Sequence, residues 1–140
     1  MSRQRLRRSL GYLWAAPCSL LGLLLAMLPL LCGARVRRQQ GALEVALPPW
    51  RWLQRLPFAA ITLGHVILGR DLATLAALRT HEQVHVRQFQ RWGLLLLLAY
   101  PAASLWLLLR GKRPYWDNPF EVQARRLSGI PPEPRQRARQ

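Results

Sequence analysis

The sequence predicts a mostly α-helical α+β domain with a small β element and an apolar helix at its N-terminus. Three observations predict this class. Residues 10–32 carry no charge, residues 58–68 are partly β-branched, and apolar residues after Asp71 recur at helical spacing. A chain of 140 residues has room for one domain rather than two. We therefore expect one membrane helix joined to one small domain.

The chain is strongly basic, with 21 Lys and Arg residues against 6 Asp and Glu residues and a formal net charge of +15. Lys112 is the only lysine, a composition typical of GC-rich bacterial genomes. The arginines cluster at the N-terminus, beside the apolar segments and near the C-terminus. This placement favours a lipid bilayer with anionic headgroups as the partner, and no nucleic acid is expected.

Residues 1–34 are predicted to be a basic N-terminus followed by a transmembrane anchor. The uncharged segment 10–32 exceeds the roughly 20 residues that a helix needs to cross a bilayer. It is also longer than the apolar region of an ordinary signal peptide, although cleavage near Gly33 remains the alternative. Arginines lie on both sides of it, so the positive-inside rule sets no orientation. The bacterial inner membrane is the expected location.

Residues 35–57 are predicted to be a connector with one short strand at 43–47, because prolines interrupt its second half. Residues 58–68 predict a strand or a bent hairpin that ends at Gly69. Asp71 can then cap a helix running to about residue 92, since Gly93 is the first helix breaker that follows it.

The segment after this helix begins with a second uncharged run, residues 93–109, which contains Pro101. Asn118 and Pro119 predict the start of a further helix over 120–127. Residues 128–140 are rich in Gly, Pro and Arg and are predicted to form a disordered basic tail.

Residues 81–85, His-Glu-Gln-Val-His, fit the pattern HExxH. On a helix, His81 and His85 lie on one face one turn apart, so both imidazoles can reach one metal ion. Glu82 lies beside that face, where a carboxylate can hold a water molecule and accept its proton. The alternative is a coincidental pair of histidines on a polar helix face.

A catalytic zinc site has three protein ligands, and Glu121 is the best candidate for the third. Asp117 is the alternative ligand, or an acceptor for a histidine N–H. Glu121 could instead pair with Arg125, four residues further along the same predicted helix. His65 lies on the predicted strand and is a poor candidate.

The segments THEQVHVRQ (80–88) and NPFEVQA (118–124) together resemble the gluzincin branch of the zincin metallopeptidases. In that branch HExxH on one helix is completed by a Glu on a later helix. The segments are also similar to small bacterial membrane-associated peptidase-like proteins of unassigned function. The resemblance covers residues 58–127 and implies a minimal zincin-like helix pair. It also implies zinc on His81, His85 and Glu121, with Glu82 as general base. One departure is Arg125, where an ExxAD signature has Asp.

The second apolar run constrains the topology of this domain. If residues 93–109 crossed a bilayer once, His85 and Glu121 would lie on opposite sides and could not share an ion. We therefore expect a run that does not cross, either bent at Pro101 into a hairpin, buried in the core, or leaning through the membrane interface. An ordinary second transmembrane helix is the alternative.

The predicted function is zinc-dependent hydrolysis of peptide bonds in a peptide or protein substrate, with Glu82 as general base. Tyr115 is a candidate donor to the oxyanion, or else an interfacial tyrosine beside Trp116. Two alternatives remain: a zinc-binding scaffold protein without catalysis, and a basic integral membrane protein without metal.

Overall fold

The computed structural model describes residues 3–130, and its elements confirm the predicted α+β class. Within these residues lie four α-helices, four strands and one short 3-10 helix. The helices are α1 (Arg3–Leu31), α2 (Leu72–Trp92), α3 (Leu95–Leu109) and α4 (Pro119–Ser128). The strands are β1 (Arg35–Gln39), β2 (Ala42–Ala46), β3 (Ala60–Leu63) and β4 (Val66–Gly69), and the 3-10 helix covers Arg51–Arg55. Of the predicted disordered tail, residues 131–140 lie outside the described residues, and Ser128 belongs to α4.

Helix α1 is long and apolar enough to span a membrane. It begins at Arg3, so the helix extends back through the basic N-terminal residues. One stripe of α1 is buried, and it consists mainly of small side chains that allow close packing: Ala15, Cys18, Gly22, Ala26 and Pro29. The remaining faces are covered with exposed leucines.

The four strands form one mixed sheet in the order β1-β2-β4-β3. Strands β2 and β4 are parallel, and the other two pairs are antiparallel. Two of these strands come from the predicted connector: β2 is the strand predicted at 43–47, shifted by one residue, and β1 was not predicted. Gln40 and Gly41 form the turn between β1 and β2 with φ values of 48° and 83°. Positive φ at both positions is the geometry of a tight type I′ hairpin, which matches the twist of the strands.

The segment 58–68 forms a hairpin, the second of its two predicted alternatives. Its turn is fastened to α1, because the Ser19 hydroxyl accepts a hydrogen bond from the His65 backbone N–H at 2.9 Å. The His65 ring stacks on Tyr12 with 4.0 Å between ring centroids, and its Nε2 lies 2.8 Å from the Gln90 amide nitrogen. His65 thus joins α1, the hairpin and α2, and it is not part of a metal site.

Helix α2 begins and ends where the sequence predicts. The Asp71 carboxylate accepts a hydrogen bond from the Thr74 N–H at 2.7 Å and caps the first turn. Gly93, with a φ of 57°, ends the helix and turns the chain by 116° into α3. The Trp14 indole of α1 packs against Gly93 and leaves no room for a side chain there.

Two expectations for the second apolar run are wrong. Pro101 does not bend it into a hairpin but lies within the continuous helix α3. A proline inside a helix removes one N–H donor and can kink the helix, which is far less than the reversal of direction that a hairpin needs. The run is not buried in the core either, since Leu96 is its one buried residue within α3. Helix α3 instead projects with exposed apolar side chains, while residues 110–118 return the chain to α2.

Candidate metal centre

Three side chains from α2 and α4, two imidazoles and one carboxylate, converge on one point. His81 and His85 lie one turn apart on α2, and their Nε2 atoms are 3.2 Å apart. Glu121 reaches them from α4, with Oε2 at 3.1 Å from His81 Nε2 and Oε1 at 3.2 Å from His85 Nε2. A tetrahedral ion with bonds of 2.0–2.1 Å separates its ligand atoms by about 3.3–3.4 Å. This buried group could therefore hold a metal ion after a movement of a few tenths of an ångström.

The electrostatics of the group favour a cation. Burial alone would raise the pKa of Glu121, but hydrogen bonds with His81 and His85 lower it well below its usual range. Burial alone would lower the pKa of His85, yet the carboxylates of Glu121 and Glu82 raise it. Two carboxylates, Glu82 and Glu121, are thus buried beside imidazoles, in a chain with 6 acidic residues. A divalent ion would balance both negative charges.

The start of α4 fixes the position of Glu121. Asn118 is fully buried, and its side-chain oxygen caps α4 by accepting a hydrogen bond from the Phe120 N–H at 3.0 Å. Its amide nitrogen donates to Tyr100 O at 3.1 Å and to Ser104 Oγ at 2.8 Å, both on α3. The Asn-Pro pair therefore sets where α4 begins, and Glu121 follows in its first turn.

Gln88 contacts the His85 ring on the side away from the other ligands, and it was not predicted to have a role. Its Oε1 lies 2.9 Å from His85 Nδ1, so a proton on Nδ1 leaves the Nε2 lone pair of His85 free for a metal ion. Its amide nitrogen donates to Phe120 O at 3.0 Å and to Gln123 Oε1 at 2.8 Å, both on α4. Gln88 thus orients one ligand and holds together the two helices that carry all three.

Replacing Gln88 with Ala is expected to weaken metal binding about 10- to 100-fold, the usual effect of losing a partner of a histidine ligand. Titration of each purified protein with Zn²⁺ measures the affinity for the metal. Gln83→Ala is the matched control, because Gln83 is also buried on α2 but donates to Gln39 O on β1 at 3.3 Å. Equal affinities in the two variants would contradict the role given to Gln88.

Glu82 lines a cavity of about 280 Å³ that His85 and Glu121 also line. Its Oε2 accepts a hydrogen bond from Thr62 Oγ1 of β3 at 2.7 Å, and the residue is 4% exposed. The rest of the lining is largely apolar and includes Phe58, Ile61, Leu63, Phe89 and Leu97. The cavity thus brings a fixed, buried carboxylate and the metal-binding group to the edge of one apolar space.

Two tyrosines also line this cavity. The Tyr100 hydroxyl donates to Glu121 Oε1 at 2.7 Å and so helps to orient that carboxylate. Burial and the negative charges of Glu121 and Glu82 raise the pKa of Tyr115, so its hydroxyl stays protonated and can donate a hydrogen bond. The structure therefore places Tyr115 beside the predicted site, and it adds Tyr100, which was not predicted.

The structure does not bring Asp117 into the group. Its carboxylate accepts hydrogen bonds from the Arg113 backbone N–H at 2.9 Å and from the Arg113 guanidinium at 3.3 Å. These short-range contacts close the turn before α4, so Asp117 is neither a ligand nor a partner of His81 or His85. Arg125 does not pair with Glu121 either: it stacks over the Trp116 ring and donates to Trp116 O.

No protein family model, curated protein or solved structure matches this chain. The functional argument therefore depends on the side chains that the fold brings together.

Proposed function

We propose that this protein is a membrane-associated zinc metallopeptidase of the gluzincin type. The observation that carries the proposal is the convergence of His81 Nε2, His85 Nε2 and a Glu121 carboxylate at 3.1–3.2 Å from one another, beside Glu82. Two imidazoles and one carboxylate are one of the ligand sets of catalytic zinc sites, which keep a fourth position open. Imidazole ligands on a site for a divalent ion favour zinc over magnesium or calcium.

Zinc in such a site acidifies a coordinated water and polarises a carbonyl group. Glu82 is the general base in this proposal: it removes the proton of the attacking water and passes it to the leaving amine. Thr62 donates a hydrogen bond to Oε2 of Glu82, which fixes the carboxylate and leaves Oε1 for the proton. Tyr115, kept protonated by its surroundings, donates a hydrogen bond to the carbonyl oxygen as negative charge develops there.

The substrate in this proposal is a peptide or protein with an apolar side chain near the bond that is cut. The aliphatic and aromatic lining of the cavity favours such a side chain, because its transfer from water is favourable while a charged one would lose hydration. The basic, apolar chain is proposed to work at a bilayer, and its composition favours the bacterial inner membrane.

The test is metal analysis of the purified protein together with a peptide library. We expect about one zinc per chain, cleavage of peptides with apolar side chains, and loss of cleavage when a chelator removes the zinc. A protein that holds one zinc and cleaves nothing would overturn the peptidase proposal and favour a binding protein. A protein that binds no metal would overturn the zinc site itself.

A further inference from the structure

The chain that follows α1 runs back beside the C-terminal two thirds of that helix. Leu31, the last residue of α1, is followed within four residues by Arg35, the first residue of β1. In the turn between β1 and β2, Gly41 O accepts a hydrogen bond from the Tyr12 hydroxyl at 2.9 Å. The chain between these points therefore returns along most of α1, from its C-terminal end to the level of Tyr12, about 28 Å away along the helix.

The side chains of β1 cannot lie in hydrocarbon. β1 is an edge strand, and its arginines, Arg35, Arg37 and Arg38, are exposed. If α1 crossed a bilayer with the sheet packed along it, Arg37 and Arg38 would lie at mid-membrane depth. Exposed arginines and the open hydrogen-bonding edge of a sheet do not occur there. The packing of α1 against the sheet therefore argues against a crossing by α1.

The exposed faces of α1 and α3 are nevertheless strongly apolar. On α1, Leu13, Leu28 and Leu31 are 72%, 64% and 83% exposed, and on α3, Leu98 and Leu109 are 71% and 76% exposed. The two helices come together where Leu96 of α3 joins Ala15 and Cys18 of α1 in one buried cluster. Basic residues flank this surface: Arg3, Arg7 and Arg8 before the apolar part of α1, and Arg110 and Lys112 after α3.

We propose that the exposed faces of α1 and α3 bind one anionic bilayer surface, with α1 lying along a single leaflet instead of crossing it. The leucines enter the outer hydrocarbon, and the flanking arginines remain at the level of the phosphates, as in interfacial amphipathic helices. His65, held by Ser19, Tyr12 and Gln90, keeps α1 docked on the domain. This binding to the bilayer surface does not depend on bound metal or on catalysis.

Binding of α1 and α3 to the bilayer surface also limits the class of substrate that can reach the cavity. This step rests on the proposed peptidase function. Helix α3 contributes Leu98 and Leu109 to the lipid-facing surface, while its Leu97, Tyr100 and Pro101 line the cavity beside Glu82. The cavity therefore lies next to the bilayer surface. Its substrate class is an apolar peptide segment that lies on the membrane, rather than a freely soluble peptide.

The two natural cysteines allow a direct test. Cys32 is exposed just after α1, and Gln4 is exposed near its start. One protein carries Cys18→Ala and keeps only Cys32; a second carries Gln4→Cys, Cys18→Ala and Cys32→Ser and marks the start of α1. Each single-cysteine protein is expressed at its full length in bacterial cells, and membrane vesicles of known orientation are treated with an impermeant maleimide. We expect both positions to be labelled in vesicles of the same orientation. Labelling in vesicles of opposite orientation would overturn the proposal.

A protein with Cys32→Ser, which keeps only Cys18, is the control. Cys18 is fully buried, so it should react only after denaturation, which shows that the reagent labels only exposed positions. Rapid labelling of Cys18 in folded protein would contradict the docking and so overturn the proposal. Recovery of the full-length protein in the soluble fraction after removal of membranes would overturn it too. None of these results depends on peptide cleavage, so the peptidase proposal is tested separately.

Discussion

Replacing Glu82 with Gln is expected to lower peptide hydrolysis by about 10²- to 10⁴-fold, the usual contribution of a general base. Gln has the same shape, and its oxygen can still accept the hydrogen bond that Thr62 donates at 2.7 Å. Its amide cannot accept the proton of the attacking water. The variant should therefore keep about one zinc per chain while kcat falls. The measurement is kcat and KM on a peptide cleaved by the wild type, with zinc content determined on the same preparation.

Glu44→Gln is the matched control, because Glu44 is also a buried glutamate but pairs with Arg79, at 2.7 Å between Oε1 and Nε. It should lower stability and leave the zinc content and kcat of the folded protein near wild type. Unchanged kcat in Glu82→Gln would remove Glu82 from the mechanism. Loss of zinc in that variant would instead make Glu82 a metal ligand.

The bounds of α2 were predictable because both of its ends carry local signals. Asp71 satisfies free N–H groups at the start, and Gly93 adopts the positive φ that ends the helix. The HExxH segment lies deep inside this helix, so the relation between His81 and His85 followed from helical geometry alone. Local signals of this kind need no knowledge of the rest of the fold.

Strand β1 was not predicted because its sequence, Arg-Val-Arg-Arg-Gln, has no alternation of apolar and polar residues. Such alternation arises when one face of a strand is buried, and β1 is an exposed edge strand. It is held by its backbone pairing with β2 and by the turn at Gln40 and Gly41. The continuity of α3 through Pro101 was not predicted for a different reason. Proline is a strong local signal for a bend, but here the helix continues on both sides of it.

Within the site, Glu121 could be predicted because acidic residues are scarce and because Asn118 and Pro119 predict the start of the helix that carries it. The supporting residues could not be found in this way. Thr62 and Tyr100 act through contacts with residues 20 and 21 positions away in the sequence. Gln88 contacts His85, three residues before it, but it also reaches α4, 32 to 35 positions away. Asp117 was a reasonable candidate by type, but its carboxylate is engaged by the turn at Arg113.

The metal-binding group joins two helices that are far apart in the sequence. Helix α4 contacts α2 through Glu121 with its two histidines and through Gln88 with Phe120 O. An ion that binds only the folded chain stabilises it by about 2.7 kcal/mol at a concentration 100 times its Kd. For a domain of this size, that corresponds to roughly 5–10 °C in Tm. Metal binding should therefore be visible in thermal unfolding, without any assay of catalysis.

The double variant His81→Ala, His85→Ala is accordingly expected to lose its zinc, from about one per chain to less than about one tenth, because only Glu121 remains of the three ligands. A chelator should lower the Tm of the wild type by several degrees and leave that of the double variant unchanged. His65→Ala is the control: it removes the third histidine, which contacts Ser19 and Gln90, and should keep one zinc and the full response to chelator. Equal loss of zinc from His65→Ala would mean that the metal is bound non-specifically. Retention of zinc by the double variant would place the ion elsewhere and remove the basis for a peptidase.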